Sequence, residues 1–181
     1  MPFFVNAKST VALTVFMLFM AAFGASTPAQ AQTEGDGSQF GDWTIVCADG
    51  AEDIRNCWLG QVLQRQEDGQ FLAEIRLRLA NEGSENRYLM VLHTPTGILL
   101  TERAAYRVAD VGDSDAPLLW HNCTERRCIA LRSLQQDEVE RLRGGLRMVV
   151  GYQRVQEAQP TVFEVSLMGV TAGLAALQAQ E

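Results

Sequence analysis

The clearest pattern in the chain is a strict alternation of apolar and polar residues over positions 71–79. Every odd position is apolar, whereas the even positions from 74 onwards carry Glu74, Arg76 and Arg78. A period of two residues is typical of a β-strand with one face in the core and the other in solvent. The pattern therefore predicts a half-buried strand whose arginines line a solvated face, and a ligand-binding stripe is the alternative interpretation of these arginines.

Further short apolar or alternating segments predict strands, and turns containing glycine, proline or asparagine separate them. These segments are 43–48, 56–65, 88–94, 98–103, 118–123, 128–132, 146–153 and 161–168. Many short strands within one domain's length are typical of an all-β protein. The expected fold is an immunoglobulin-like antiparallel β-sandwich with one inserted short helix and a short C-terminal helix.

The inserted helix is predicted after residue 132, where the strand pattern stops. Ser133 is a favourable N-cap, Gln136 stands at the reciprocal position of a capping box, and Gly144 can end the helix in the left-handed conformation. Acidic residues come early in this segment and arginines come late, which suits the helix dipole. Val139 is expected to face the sheet.

A second short helix is predicted near the end of the chain, where Val170, Leu174 and Leu177 recur at the spacing of one helical face. No internal repeat or linker interrupts residues 40–178, so they are expected to form a single domain. Residues 32–39 are polar and contain glycine, and we expect them to be a disordered lead-in.

The first 31 residues have the three parts of a secretory signal peptide in the required order. Lys8 supplies a positive charge, a mostly apolar run follows over 11–25, and Ala-Gln-Ala at 29–31 precedes a cleavage point before Gln32. Fifteen residues of helix would span about 22 Å, which is short of the ~30 Å hydrocarbon core of a bilayer. We therefore expect a periplasmic or secreted product with no transmembrane segment in the mature chain.

The charge balance excludes one class of partner. The chain has 15 basic and 22 acidic residues, a formal net charge of −7, and its one lysine is Lys8 in the leader. Because phosphate contacts supply most of the affinity for nucleic acids, we expect no nucleic-acid partner. A hydrophobic content of 47% with 20% charged residues excludes a disordered chain.

The four cysteines, Cys47, Cys57, Cys123 and Cys128, all lie in the part expected to be exported. Disulfides are the default state in an oxidising compartment, and four cysteines permit three pairings. Cys47 and Cys57 flank one turn-like segment and Cys123 and Cys128 flank another, which favours the sequential pairing. The alternative, a four-cysteine zinc site, lacks the usual C-x₂₋₄-C spacing in the first pair.

Candidate catalytic residues are few. The chain has two histidines, His93 and His121, and lacks the motifs of serine hydrolases, zinc proteases and phosphate-binding loops. We therefore expect neither an enzyme nor a cofactor. The alternative is a small periplasmic hydrolase or metal-dependent enzyme that uses His121, which lies two residues before Cys123.

Residues 104–121 form the longest stretch with a weak strand pattern and are expected to be a loop. Asp110, Asp113 and Asp115 lie in it, and Trp120 near its end is a candidate anchor for a partner. Calcium binding by the three aspartates is an alternative, but the EF-hand pattern is absent. A solvated acidic connection accounts for the same residues.

Several short segments, taken in their order and spacing, resemble a known family, the bacterial invasion-associated locus B proteins. The segments are 40–43 (FGDW), Cys47 with Cys57, 96–100 (TGILL), Cys123 and Cys128 with Ala130, the helix through Leu142 and Gly144, and 166–170 (SLMGV). Two positions depart from the family's pattern: Arg127 replaces a usual glycine, and Val170 replaces a usual phenylalanine.

The resemblance implies a periplasmic or envelope-associated β-sandwich from an alphaproteobacterium, with disulfides and without known catalytic residues. It is consistent with recognition of an unknown protein or envelope component, and the family's name adds a candidate role in host-cell interaction. A purely structural envelope stress factor is the remaining alternative, and the sequence does not separate it from a recognition protein.

Overall fold

The alternating segments form ten antiparallel β-strands and two short helices in a computed structural model, which describes residues 35–49, 55–82, 85–111 and 114–180. The elements are β1 (Gln39–Phe40), β2 (Trp43–Asp49), β3 (Arg55–Gln64), β4 (Phe71–Glu82), β5 (Glu85–Thr94), β6 (Ala104–Val108), β7 (Ala116–Cys123), β8 (Cys128–Leu134), α1 (Gln136–Gly144), β9 (Arg147–Tyr152), β10 (Thr161–Ser166) and α2 (Val170–Gln178). The predicted all-β antiparallel class, with one inserted and one C-terminal helix, is confirmed.

The strands hydrogen-bond in one continuous order, β1-β2-β3-β4-β5-β8-β7-β6-β9-β10. The strands form two layers, one of β1, β2, β3, β4, β5 and β8 and the other of β6, β9 and β10. Strand β7 belongs to both layers, because its first residues pair with β6 and its last residues pair with β8. The layers face each other across one hydrophobic core, in which Trp43, Met90, Leu118 and Met148 are fully buried. The Tyr152 hydroxyl of β9 also donates a hydrogen bond to the backbone of β4 at 3.0 Å.

Strand β4 shows how the alternation builds this core. Ala73, Ile75, Leu77 and Leu79 are all buried, so the predicted half-buried strand is confirmed. The opposite face differs from the prediction, because Glu74 is only 8% exposed and is not solvated. The arginines around it account for this burial, as described below.

The segment that joins β1 to β2 and the segment that follows β10 pack together in what we call the backbone clasp, formed by residues 40–43 and 166–169. The Asp42 amide donates to the Met168 carbonyl at 3.2 Å, and Trp43 Nε1 donates to the Ser166 carbonyl at 2.9 Å. Gly169 has a φ of +93°, and a Cβ there would collide with the Phe40 carbonyl. Two of the segments that carry the family resemblance therefore pack against each other.

Helix α1 begins later than the sequence pattern predicts. Ser133, the predicted N-cap, lies in β8, and the observed N-cap is Gln135. The Gln135 amide donates to the Glu138 carboxylate at 2.9 Å, so Glu138 rather than Gln136 completes the cap. The reason is that β8 pairs with β5 up to Leu134, which keeps Ser133 in the sheet.

The end of α1 also differs from the prediction, since Gly144 is not left-handed. Gly145 is the C-cap, with an extended φ of −85°, and its amide donates to the Arg141 carbonyl at 2.9 Å. A Cβ on Gly145 would collide with the Val108 side chain. Close packing, rather than a positive φ, accounts for the glycine at the observed end of the helix.

A buried polar network fixes α1 against the sheet. Glu138 is 3% exposed, and its carboxylate accepts hydrogen bonds from the Tyr106 hydroxyl at 3.0 Å and Arg132 Nε at 2.8 Å. Burial raises the pKa of Glu138, but these hydrogen bonds outweigh it and the pKa lies below its ordinary value. Val139 is buried, as predicted.

One strand prediction and one loop prediction were wrong. Residues 98–103, predicted as a strand, form a turn, with one isolated bridge between Ile98 and Arg154. The predicted loop over 104–121 contains β6 and most of β7. In β6, Ala104, Tyr106 and Val108 alternate into the core, but a five-residue strand beginning with two alanines gives too weak a pattern to recognise.

The described part of the predicted disordered lead-in, residues 35–39, extends the sheet instead. The Gly37 amide donates to the Ile45 carbonyl at 2.8 Å, and the Ile45 amide donates to the Ser38 carbonyl at 2.9 Å. The Asp36 carboxylate accepts the Cys47 amide at 2.9 Å. These bonds satisfy edge groups of β2 that would otherwise be open to another strand.

Candidate functional site

The outer face of β2, β3, β4, β5, β8 and β7 combines a buried carboxylate with exposed aliphatic side chains. One row of residues crosses six strands in register: Thr44, Gly60, Arg76, Val91, Leu131 and Leu119. Large aliphatic side chains are exposed along this face, including Val62 at 59% and Leu119 at 58%. Exposed aliphatic groups beside arginines are typical of recognition surfaces.

An outer-face cluster, defined as Trp58, Phe71, Glu74, Arg76 and Arg127, lies within this surface. Arg76 Nε lies 2.7 Å from Glu74 Oε1, and a second Arg76 nitrogen lies 2.9 Å from Oε2. A terminal nitrogen of Arg127 lies 2.7 Å from Glu74 Oε2. The Arg76 guanidinium lies 4.3 Å from the centre of the Trp58 ring, and that of Arg127 lies 4.8 Å from Phe71.

Different elements bring these side chains together. Glu74 and Arg76 are two residues apart on β4 and therefore share its outer face. Arg127 comes from the β7–β8 hairpin, 53 residues away in sequence. Gly60 leaves room for the tryptophan, since a Cβ there would lie 3.2 Å from the Trp58 ring.

The electrostatics of the outer-face cluster favour binding over proton transfer. Burial raises the pKa of Glu74, but hydrogen bonds from Arg76 and Arg127 outweigh it and keep the pKa below its ordinary value. Burial and the charge of Arg76 lower the pKa of the neighbouring His93 to about 4. At neutral pH the carboxylate is therefore ionised, the imidazole is neutral, and the remaining guanidinium N–H groups can bind an acceptor.

The residues predicted to contact a partner lie in different places, as far as the described ranges show. Asp110 and Asp115 are exposed, Asp115 lies 3.9 Å from Arg107, and Asp113 falls outside the described residues. Trp120 is half-buried in β7 and donates its ring N–H to the Glu102 carbonyl at 2.8 Å. Asp115 and Trp120 line different concavities.

His121 lies on the exposed side of β7, where the pairing with β8 shifts between Trp120 and Asn122. Both nearby thiols, of Cys123 and Cys128, are joined in a disulfide and are not available as metal ligands. Within residues 35–49, 55–82, 85–111 and 114–180, no three His, Cys, Asp or Glu side chains are arranged to hold a metal ion.

The structure contains both favoured disulfides, Cys47–Cys57 and Cys123–Cys128. Each joins residues that lie directly opposite each other in a strand pair, which is why sequential pairing is possible at both places. The second disulfide closes the hairpin that carries Arg127. It therefore supports the outer-face cluster as well as the fold.

Sequence reasoning did not find the outer-face cluster. It assigned Glu74 and Arg76 to a solvated strand face, and no local pattern connects them to Arg127 or to the two aromatic rings. One signal was available: two adjacent arginines lie in a tight turn closed by cysteines, which is an ordered place for a charged pair.

The comparisons with known proteins agree on one family. A family model described as "Invasion associated locus B (IalB) protein" matches residues 43–178. Two proteins of Brucella abortus, from strain 2308 and from biovar 1 strain 9-941, are each called an invasion protein B homolog. Each is 28% identical over 160 residues, which is 88% of both chains.

The fold is also similar to the crystal structure of invasion associated protein B from Bartonella henselae. The TM-score is 0.67 at 19% identity, over 78% of this chain and 94% of that one. Within the described ranges, none of the helices combines the length and hydrophobicity required to cross a membrane.

Proposed function

Because this chain belongs to the invasion-associated locus B family, we propose that it is exported to the bacterial envelope and recognises a protein or envelope component there without catalysing a reaction. In this proposal, residues 1–31 are a cleaved signal peptide and residues 40–178 are the working domain. The periplasm is the expected compartment, in which both disulfides are stable.

The outer-face cluster carries this proposal. Its carboxylate is already held by two arginines, so the cluster offers cationic donors and aromatic rings, and Glu74 is not free to act as a base. Arginine and tryptophan are enriched at the centres of protein interfaces. Val62 and Leu119 extend the surface with exposed aliphatic groups, which supply area that a partner can bury.

A role in contact with host cells is the finer part of the proposal. It is supported by the names of the relatives: the Brucella proteins are called invasion protein B homologs, and the Bartonella protein is called invasion associated protein B. Asp110, Asp113, Asp115 and Trp120 remain secondary candidates for partner contact, and Asp115 and Trp120 line different concavities.

Site-specific photo-crosslinking in intact cells tests the proposed surface. A photoreactive amino acid is placed at Val62 or at Leu119, and in a matched control at Val162, which is 57% exposed on β10. We expect the same covalent adduct from positions 62 and 119 and none from 162. We also expect Arg76→Ala to reduce the adduct at position 62 in a protein that remains folded.

Two outcomes would contradict the proposed surface. The first is an adduct of equal yield at position 162, which would mean that the crosslink follows exposure alone. The second is the absence of an adduct at both 62 and 119 under conditions where the protein is correctly exported.

A further inference from the structure

A second concavity, here called the arginine concavity, lies beside the outer-face cluster and has a volume of about 230 Å³. The segments after β3 and β9 and the β7–β8 hairpin meet there. Its cationic and ring-bearing lining residues are Arg65, Arg126, Arg154, Phe71, Tyr152 and Pro95. Phe71 belongs to both sites, because Arg127 stacks on its ring.

Two of the three arginines have acidic neighbours. Arg65 lies 3.3 Å from Asp68, and Arg154 lies 2.8 Å from Glu157. Nε of Arg154 is buried and has no hydrogen-bond partner among the described residues.

Arg126 is the third arginine, and its side chain forms no ion pair with any residue that the structure describes. The arginine concavity therefore combines three guanidinium groups with two nearby carboxylates. An uncompensated cation in a chain with a formal net charge of −7 makes this a local positive site in an acidic protein.

The β7–β8 hairpin fixes the backbone of Arg126. The Cys123–Cys128 disulfide closes the hairpin, and the Thr124 hydroxyl accepts the amides of Arg126 at 3.3 Å and Arg127 at 3.2 Å. The two adjacent arginines serve different sites: Arg127 binds Glu74, whereas Arg126 lines the arginine concavity. These bonds order the backbone from which the exposed Arg126 side chain extends.

Aromatic and apolar groups form part of the lining. The Tyr152 hydroxyl donates to the Leu72 carbonyl at 3.0 Å, which fixes one ring, and the Phe71 ring is held under Arg127. Tyr152 is only 3% exposed, so the half-buried Phe71 ring and Pro95 are the groups that can pack against the C–H groups of a sugar. The volume is below the range of drug-sized ligand pockets, so a single small ring is the appropriate size.

From this geometry we propose that the arginine concavity binds an acidic sugar unit, a single ring that carries a carboxylate or a phosphate. The guanidinium groups of Arg126 and Arg154 would bind the anion, since arginine recognises both groups through paired N–H donors. This site shares Phe71 with the outer-face cluster, but the proposed binding of an acidic sugar does not depend on the recognition function proposed above.

An amide NMR titration of the protein lacking residues 1–31 tests the proposal. The probes are D-glucuronate and glucose-6-phosphate, with neutral D-glucose as the control ligand. We expect at least one of the anions, and not glucose, to shift the amide signals of Phe71 and Tyr152. We expect Arg126→Gln to weaken this binding by about fivefold or more, because it removes a charge-assisted hydrogen bond.

Arg143→Gln is the matched control variant, because Arg143 is an exposed arginine in the last turn of α1 and does not line the arginine concavity. It should leave the affinity unchanged. Binding by glucuronate alone, by the phosphate alone or by both supports the site and identifies the anionic group. The absence of shifts with both anions at millimolar concentration overturns it, as does equal weakening by Arg126→Gln and Arg143→Gln.

Discussion

Single glycines decide whether the backbone clasp can close. Gly169 combines a left-handed φ of +93° with direct contact against the Phe40 carbonyl, so two constraints act on one residue. Gly41, across the clasp, has a φ of +57° and packs against Met168 in the same way. The family-like segments at the two ends are therefore explained by packing, without any role in binding a partner.

We expect Gly169→Ala to lower the free energy of unfolding by about 2 kcal/mol or more, because a Cβ adds left-handed strain and a backbone collision. Gly69→Ala is the matched control: its φ is +69°, and a Cβ there meets no atom within 4 Å. Gly69→Ala should cost about 1 kcal/mol, from the left-handed strain alone. Urea unfolding of both variants measures the difference, and equal losses would contradict a structural role for the clasp.

His93 should make stability depend on pH. Burial and Arg76 lower its pKa to about 4 from 6.5, so the unfolded chain takes up a proton at a higher pH than the folded protein does. The stability that His93 contributes is therefore complete above pH 6.5, and it is lost as the pH falls towards 4.

We expect the wild-type protein to lose about 1 kcal/mol of stability between about pH 7 and pH 5 through this residue, after allowing for solvent screening. His93→Gln should flatten that part of the pH profile, because glutamine does not titrate. His121→Gln, exposed on β7, serves as the control and should keep the wild-type profile. Urea unfolding at both pH values measures this, and an unchanged profile in His93→Gln would disprove the assignment.

At the scale of elements, the two hairpins closed by disulfides have different tasks. The β2–β3 disulfide links cysteines 10 residues apart, and the β7–β8 disulfide links cysteines five residues apart. The longer loop gains more from cross-linking in the unfolded state. The shorter loop carries Arg126 and Arg127, so its disulfide matters more for the placement of those side chains.

We expect replacement of Cys47 and Cys57 by serine to cost about 2–3 kcal/mol of stability, and replacement of Cys123 and Cys128 to cost about 2 kcal/mol. The second pair of substitutions should nevertheless disturb the amide signals of Glu74 and Phe71 more than the first. Urea unfolding and NMR of the two double variants measure these effects. A larger disturbance of Glu74 in the Cys47 and Cys57 variant would contradict the proposed division of tasks.

At the scale of the whole molecule, the cleavage of the chain and its disulfide content can be tested directly. We expect the exported protein to begin at Gln32, because Ala-Gln-Ala at 29–31 is a favourable cleavage site. Intact-mass measurement of the protein from envelope fractions, before and after reduction, gives both the N-terminus and the number of disulfides. Retention of residues 1–31 in the isolated protein would contradict cleavage and favour an anchored form.

The sequence by itself determined much of the local structure. The alternation over 71–79 predicted β4, the spacing of Val170, Leu174 and Leu177 predicted α2, and the cysteine positions favoured the observed disulfides. These features are readable because their signals are local: neighbouring residues share a face, a turn or a short loop. The same signals failed for β6, whose burial depends on pairing with strands distant in sequence.

Only the tertiary structure decided where the polar groups act. Whether Glu74 is solvated or buried depends on Arg127, which lies 53 residues away in sequence, and the start of α1 depends on how far β8 pairs with β5. Likewise, the elements on either side of the β7–β8 hairpin determine that Arg126 lines the arginine concavity whereas Arg127 binds Glu74. Periodicity identifies the face of a strand, but partners brought together by folding determine what that face can bind.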